Sequence, residues 1–224
     1  MRETPKPPRL FKRNNQNKRE MAKDCTESKL YESLRHCAGS PVLPGIRQRG
    51  YFASKSDIVA WPKLAGKAAK EMREISVYQG SFTLAADKKW RYIDFTQNKG
   101  TLSYETQGDE PSRTFLNKAT LNHPEIDEDA AAASRQMLYD DLVFVIPQRD
   151  GKWRVLGNES FPTDTKPQGT TGEGMTGEVG TTLEIEVADV CPLPFYVGTL
   201  DTEDGEIDCS GKDAPAEGGG TENP

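Results

Sequence analysis

The segment LVFVIPQRDGKWRVLG constrains this chain more than any other. Two apolar runs, residues 142–147 and 153–156, flank Asp150-Gly151, a dipeptide that tolerates the positive φ of a type I′ hairpin turn. A turn of that type pairs Ile146 with Val155 and Val145 with Leu156. Phe144, Ile146, Trp153 and Val155 then share one face, with Val143, Val145 and Leu156 on the other. Both faces are apolar, so the hairpin needs two covers: an opposing sheet on one side, and a helix or another subunit on the other. Val143, Val145 and Leu156 are therefore candidate subunit-interface residues.

The remaining body alternates with period two. In VYQGSFTL (77–84), Tyr78, Phe82 and Leu84 share a parity; WRYIDF (90–95), the turn NKG (98–100) and TLSYET (101–106) follow, and together they predict a meander. RTFLNKATL (113–121) is a further strand. The period changes once, in HPEIDEDAAAASRQMLYDD, where Pro124, early acids and four alanines predict a helix over about 124–140 with Ile126, Ala130, Ala133 and Met137 on one face. TTLEIEVA (181–188) puts Leu183, Ile185 and Val187 inward and Glu184 and Glu186 outward, and CPLPFYVG (191–198) reads as a closing edge segment because of its prolines. The fold class is mainly β, an antiparallel sandwich or barrel-like body with one mid-chain helix and extended termini.

The net charge of -6 is laid out unevenly. Residues 1–23 hold eight Lys or Arg against two Glu, and residues 201–224 hold eight Asp or Glu against one Lys. Such blocks bury too little apolar surface to offset their ordering entropy. The expected organisation is a basic arm (1–23), a single β-rich domain (24–200) and an acidic tail (201–224). A basic arm can bind nucleic acid by counterion release, but beside an acidic body an acidic neighbouring subunit is the better partner, with Arg9, Phe11 and Arg13 as anchors. Met21 is an alternative start. Nothing in the first residues reads as an apolar leader. The longest apolar run, residues 142–147, falls far short of the roughly 18 residues of a spanning helix.

No motif carries catalytic chemistry. GEGMTG (172–177) has the letters of a dinucleotide fingerprint, but it sits in the polar loop KPQGTTGEGMTGEVG and leads into a strand, whereas pyrophosphate needs a helix N-terminus. DTEDGEID (201–208) misses the calcium-loop positions for Gly and the final Glu. His36 and His123 are the only histidines, no GxSxG or HExxH occurs, and Cys25, Cys37, Cys191 and Cys209 match no zinc spacing and are expected reduced. Asn158-Glu159-Ser160 is a glycosylation sequon. Trp90 and Trp153 read as core, which leaves Trp61 as the one tryptophan that could serve a glycan platform. No catalytic residue, cofactor or metal is expected.

The order of elements resembles the major tail tube proteins of tailed bacteriophages: strands, a single mid-chain helix, the two-sided hairpin VFVIPQRDGKWRVLGNE, the loop TTGEGMTGEVG and the strand TTLEIEV. The segment CAGSPVLPGIRQRGYFASKSDIVAWP is likewise similar to phage structural proteins. The resemblance covers roughly residues 25–200. It implies a structural subunit, not an enzyme, that assembles in the host cytoplasm into stacked, hexameric rings of the virion. DNA would pass through the tube without specific binding, with other tail or neck proteins and no membrane as partners. Within that picture Gly172, Gly174 and Gly177 join Val143, Val145 and Leu156 at the subunit interface, and Glu184 and Glu186 face the lumen. Two alternatives remain: another virion component, such as a head-tail connector or capsid decoration protein, and a glycan-binding module or hydrolase.

Overall fold

The computed structural model describes residues 30–39 and 41–211. The candidate anchors Arg9, Phe11 and Arg13 lie outside the described residues, as do Cys25 and the tail beyond residue 211. The strands are β1 (Arg49–Ser54), β2 (Ile58–Ala60), β3 (Lys63–Leu64), β4 (Val77–Gln79), β5 (Thr83–Leu84), β6 (Arg91–Asp94), β7 (Thr101–Gln107) and β8 (Thr114–His123). After the helix α1 (Glu128–Met137) come β9 (Leu142–Pro147), β10 (Trp153–Leu156), β11 (Thr163–Thr170), β12 (Gly180–Asp189), β13 (Phe195–Tyr196), β14 (Thr199–Thr202) and β15 (Gly205–Asp208). The fold is mainly β with a single α-helix among the described residues.

A seven-stranded sheet runs β3-β4-β13-β10-β9-β1-β6, and a four-stranded antiparallel sheet runs β11-β12-β8-β7. Strand β9 starts beside β11, where the Thr163 N–H donates to Asp141 Oδ1 at 2.9 Å. It ends beside β7, where Gln148 bridges Ile46 and Ile46 fills the space a Cβ on Gly100 would need. Strand β9 therefore runs across all four strands of the smaller sheet, and the two sheets are crossed rather than aligned.

The hairpin β9–β10 is the centre of the molecule, but its register differs from expectation. Val155 pairs with Val145 and Leu156 with Phe144, one residue off the type I′ pairing. The loop is Arg149-Asp150-Gly151: the Gln148 N–H reaches Lys152 O at 2.7 Å, the Gly151 N–H closes a turn on Gln148 O at 3.1 Å, and only Gly151 has positive φ (85°). This is a three-residue loop in which glycine takes the left-handed position at the end of a turn. A slip of one residue moves a side chain to the opposite face. Leu142, Phe144, Ile146 and Leu156 accordingly share one face and pack on Leu121, Leu183, Ile185 and Val187 of the smaller sheet. Val143, Val145, Trp153 and Val155 form the other.

That second face is covered by the same chain. The sheet residues Tyr51, Tyr78 and Tyr196 lie on this face too, and Phe82, Trp90, Leu200 and Cys209 close over it, with Phe82 at 5.3 Å from Trp90 and 5.2 Å from Tyr196 between ring centroids. The acidic tail thus begins later than its charge implies. Strands β14 and β15 form a hairpin, Leu200 is 0% exposed, and Trp90 N–H donates to Asp201 O at 2.9 Å. Its carboxylates face outward while alternate residues are core.

Other expectations are also corrected. Gly80 (φ 90°) divides 77–84 into β4 and β5, and β4, β6 and β7 are not sheet neighbours, so there is no meander. Strand β13 is internal, between β4 and β10, because Pro192 and Pro194 precede the two residues that pair. Residues 163–170, partly assigned to a polar loop, form β11. In α1 the N-cap is Asp127, whose side chain accepts from the Ala130 N–H at 2.8 Å, so Pro124 lies before the helix. Ala130 and Met137 are buried there, while Ala133 is only half-buried.

Two outcomes follow. Leu156→Ala should cost about 2–5 kcal/mol in denaturant unfolding, since its site is closed on all sides; a cost under about 1 kcal/mol would contradict that packing. Truncation after Gly211 should leave the thermal midpoint nearly unchanged, whereas truncation after Gly198 should lower it sharply by uncovering Trp90 and Val145.

Candidate assembly interface

Val143, Val145 and Leu156 are each 0% exposed within one chain, so they are core residues and cannot form a subunit interface. The longest open strand edges belong to the smaller sheet. Its edge strands β7 and β11 are seven and eight residues long. Antiparallel pairs alternate between exchanging both backbone bonds and exchanging none. Pro167, opposite Leu183, has no N–H and takes a non-bonding place, its nitrogen turned away from β12. Counting across the registers from there, odd residues of β11 and even residues of β7 direct their backbone groups away from the sheet. Those of Leu102, Tyr104 and Thr106 on one edge, and of Thr165 and Gly169 on the other, have no backbone partner among the described residues.

The faces of this sheet differ. Leu183, Ile185 and Val187 point into the core, as their alternation predicts, and Glu184 and Glu186 point outward. The outer face carries Glu105, Asp164, Glu184 and Glu186 against Lys118 and Lys166. Lys118 Nζ lies 2.7 Å from Glu105 and 3.5 Å from Glu186, and Lys166 Nζ lies 2.9 Å from Asp164 and 3.4 Å from Glu186. The hydrogen bond to Glu105 raises the Lys118 pKa, and that to Asp164 raises the Lys166 pKa. Glu184 is exposed and has no ion-pair partner among the described residues. The face is acidic by two charges, counting four carboxylates against two ammonium groups.

The glycine loop joins β11 to β12 at one end of this sheet. Gly172 and Gly174 have positive φ (75° and 63°), and a Cβ on Gly177 would strike the Glu173 backbone, so the loop folds tightly on itself. It leads into a strand, and it leaves Met175 fully exposed and Val179 48% exposed. Lys99 pairs with Glu178 at its base.

The remaining chemistry candidates are scattered. Among the described residues no group of three or more His, Cys, Asp or Glu could hold a metal ion. His123 Nδ1 lies 2.9 Å from Asp94 O, and His36 is exposed. Cys191 and Cys209 are buried free thiols, with burial pushing Cys191 up to about 12, and Cys37 is exposed. Trp90 and Trp153 are core, and Trp61 is half-buried with its ring edge-on to Phe82 at 5.5 Å. Asn158 caps its own turn: its Oδ1 accepts from the Ser160 and Phe161 N–H groups and its Nδ2 donates to Ala188 O. Compared with known proteins, the chain matches no family model, no curated protein and no solved structure.

Sequence reasoning found the outward carboxylates but missed the edges that frame them. Strand β11 reads TDTKPQGT, without an apolar alternation; the one signal was Pro167, which belongs on an edge strand. The ion pairs on this face are exposed, so Lys118→Ala should lower the urea unfolding midpoint only slightly. A large drop would mean Lys118 bears on the core.

Proposed function

We propose that this chain is the tube subunit of a bacteriophage tail, closing into rings through β7 and β11 and stacking into a conduit for DNA. The observation that carries the reading is the four-stranded sheet with two long unpaired edges, one face sealed by its own domain and the other polar and acidic. Unpaired edges invite pairing with another chain, and ring closure removes them. Because the strand number is even and every pair antiparallel, β7 and β11 run in opposite directions. Edge-to-edge contact between rotated copies therefore extends an antiparallel sheet.

On this reading closure also assigns the face that bounds the bore. The apolar face is held by the seven-stranded sheet, so the body lies outside and Glu184 and Glu186 look inward. A closed sheet of about eight strands is filled by side chains, whereas about 16 or more leave an aqueous channel. At four strands per copy, a dimer would be plugged, and a hexamer would supply about 24 strands. An acidic lining suits passage of a polyanion, because cations that neutralise phosphates release counterions and so add affinity. Tail and neck proteins would meet the ends of such a tube in the virion.

Thr106→Pro tests the edge contact, since the Thr106 N–H points away from β8 and its loss spares the internal ladder. The variant should keep the circular dichroism of the unsubstituted chain and sediment as a monomer under conditions where that chain forms rings. Rings of unchanged mass and yield would overturn the reading. Glu184→Lys with Glu186→Lys should leave ring formation intact and slow genome ejection from particles carrying the variant, most strongly at low salt; unaltered ejection kinetics would remove these residues from the bore.

A further inference from the structure

A groove of about 320 Å³ lies between α1 and the β6 edge of the seven-stranded sheet. Phe52, Ile93, Met137 and Leu183 line its apolar floor, and Asp94, Glu125, Asp127 and Asp129 are its acids. Two of these are committed: Asp94 is held by Arg49 at 2.7 Å, and Asp127 caps α1. Glu125 faces only His123, at 3.9 Å, and Asp129 has no charged partner among the described residues. The groove thus offers apolar surface flanked by two available carboxylates.

We infer that residues Arg9–Arg13 of a second copy, sequence RLFKR, occupy this groove, with Phe11 on the apolar floor and the Arg9 and Arg13 guanidinium groups on Glu125 and Asp129. The chemistry is matched in sign and in order: cation, apolar residue, aromatic ring and two cations against acid, apolar floor and acid. Geometry selects a second copy in the next ring, and in this the inference rests on the ring proposed above. Glu32 exchanges hydrogen bonds with Met72, its N–H on Sδ at 3.4 Å and its Oε1 taking the Met72 N–H at 3.1 Å. Met72 begins the short 3-10 helix that leads into β4, next to the β3 edge. The groove is at the opposite edge, β6, about 29 Å away across six strand spacings.

That edge-to-edge direction is perpendicular to β9, and β9 points from β11 to β7, the direction in which ring neighbours meet. The root of the arm and the groove therefore sit at opposite ends of the subunit along the tube axis. Stacking two rings brings the arm of one beside the groove of the other. The 19 residues from Arg13 to Glu32 span up to about 63 Å when extended, ample for that step.

The test uses full-length chains with Cys25→Ser and Cys37→Ser, one carrying Lys12→Cys, which keeps Arg9, Phe11 and Arg13, and the other, differently tagged, Ala133→Cys on the groove wall. After mixing, assembly and mild oxidation, a disulfide should join the two tagged chains. It should be lost with Glu125→Lys and Asp129→Lys, and return when the partner chain carries Arg9→Glu and Arg13→Glu; Glu125→Gln with Asp129→Asn gives the same loss without reversing charge at the helix start. Rings that form with no disulfide between tags, or with one only when both cysteines share a chain, overturn the inference and leave the ring intact. Chains that form no rings by mass overturn the ring and this inference together.

Discussion

The rest of the structure depends on burying both faces of the β9–β10 hairpin. Each Leu or Ile removed from water there contributes about 1.5–3 kcal/mol, so neither face can be left uncovered. One face takes the smaller sheet, which fixes Leu121, Leu183, Ile185 and Val187 opposite Phe144 and Ile146. The other takes a cover assembled from segments distant in sequence, including Phe82, Trp90, Leu200 and Cys209. The Arg149-Asp150-Gly151 loop sets which residue goes to which cover, and a one-residue change there would put Arg154 where Val155 now sits.

Satisfying the hairpin internally determines what remains for assembly. With Val143 and Val145 sealed, the longest open strand edges are the rims of the smaller sheet, and its outer face is polar. The crossed packing of the sheets then separates two directions. Neighbours that extend the smaller sheet lie along β9, whereas the β3 and β6 edges of the larger sheet point at right angles to it. On the proposed reading the subunit closes a ring in one direction and presents different groups, the groove beside α1 among them, in the other.

Much of this was legible in the sequence where a period was strong. The alternation of TTLEIEVA gave both the buried Leu183, Ile185 and Val187 and the outward Glu184 and Glu186, and the shift to an alanine-rich stretch with early acids located α1. The hairpin was evident too, but not its register, because Asp150-Gly151 serves both a two-residue turn and a three-residue loop ending in glycine. Strand β11 escaped notice because an edge strand with one face outward needs few apolar residues. The hairpin β14–β15 was hidden by its charge: Asp201, Glu203, Asp204 and Glu206 dominate the composition, while the residues that pack, Leu200, Thr202, Ile207 and Cys209, are spread among them. Pairing partners set by tertiary contact, such as β13 beside β4, leave no local trace.

Amide hydrogen exchange compared between monomer and assembled particle tests the central claim most directly. The N–H groups of Leu102, Tyr104 and Thr106 in β7, and of Thr165 and Gly169 in β11, should exchange rapidly in the monomer and become protected together on assembly, while those of β9 and β10 stay protected throughout. If the particle forms with the β7 and β11 amides still exchanging as fast as in the monomer, the subunits are joined by some other surface and the account is wrong.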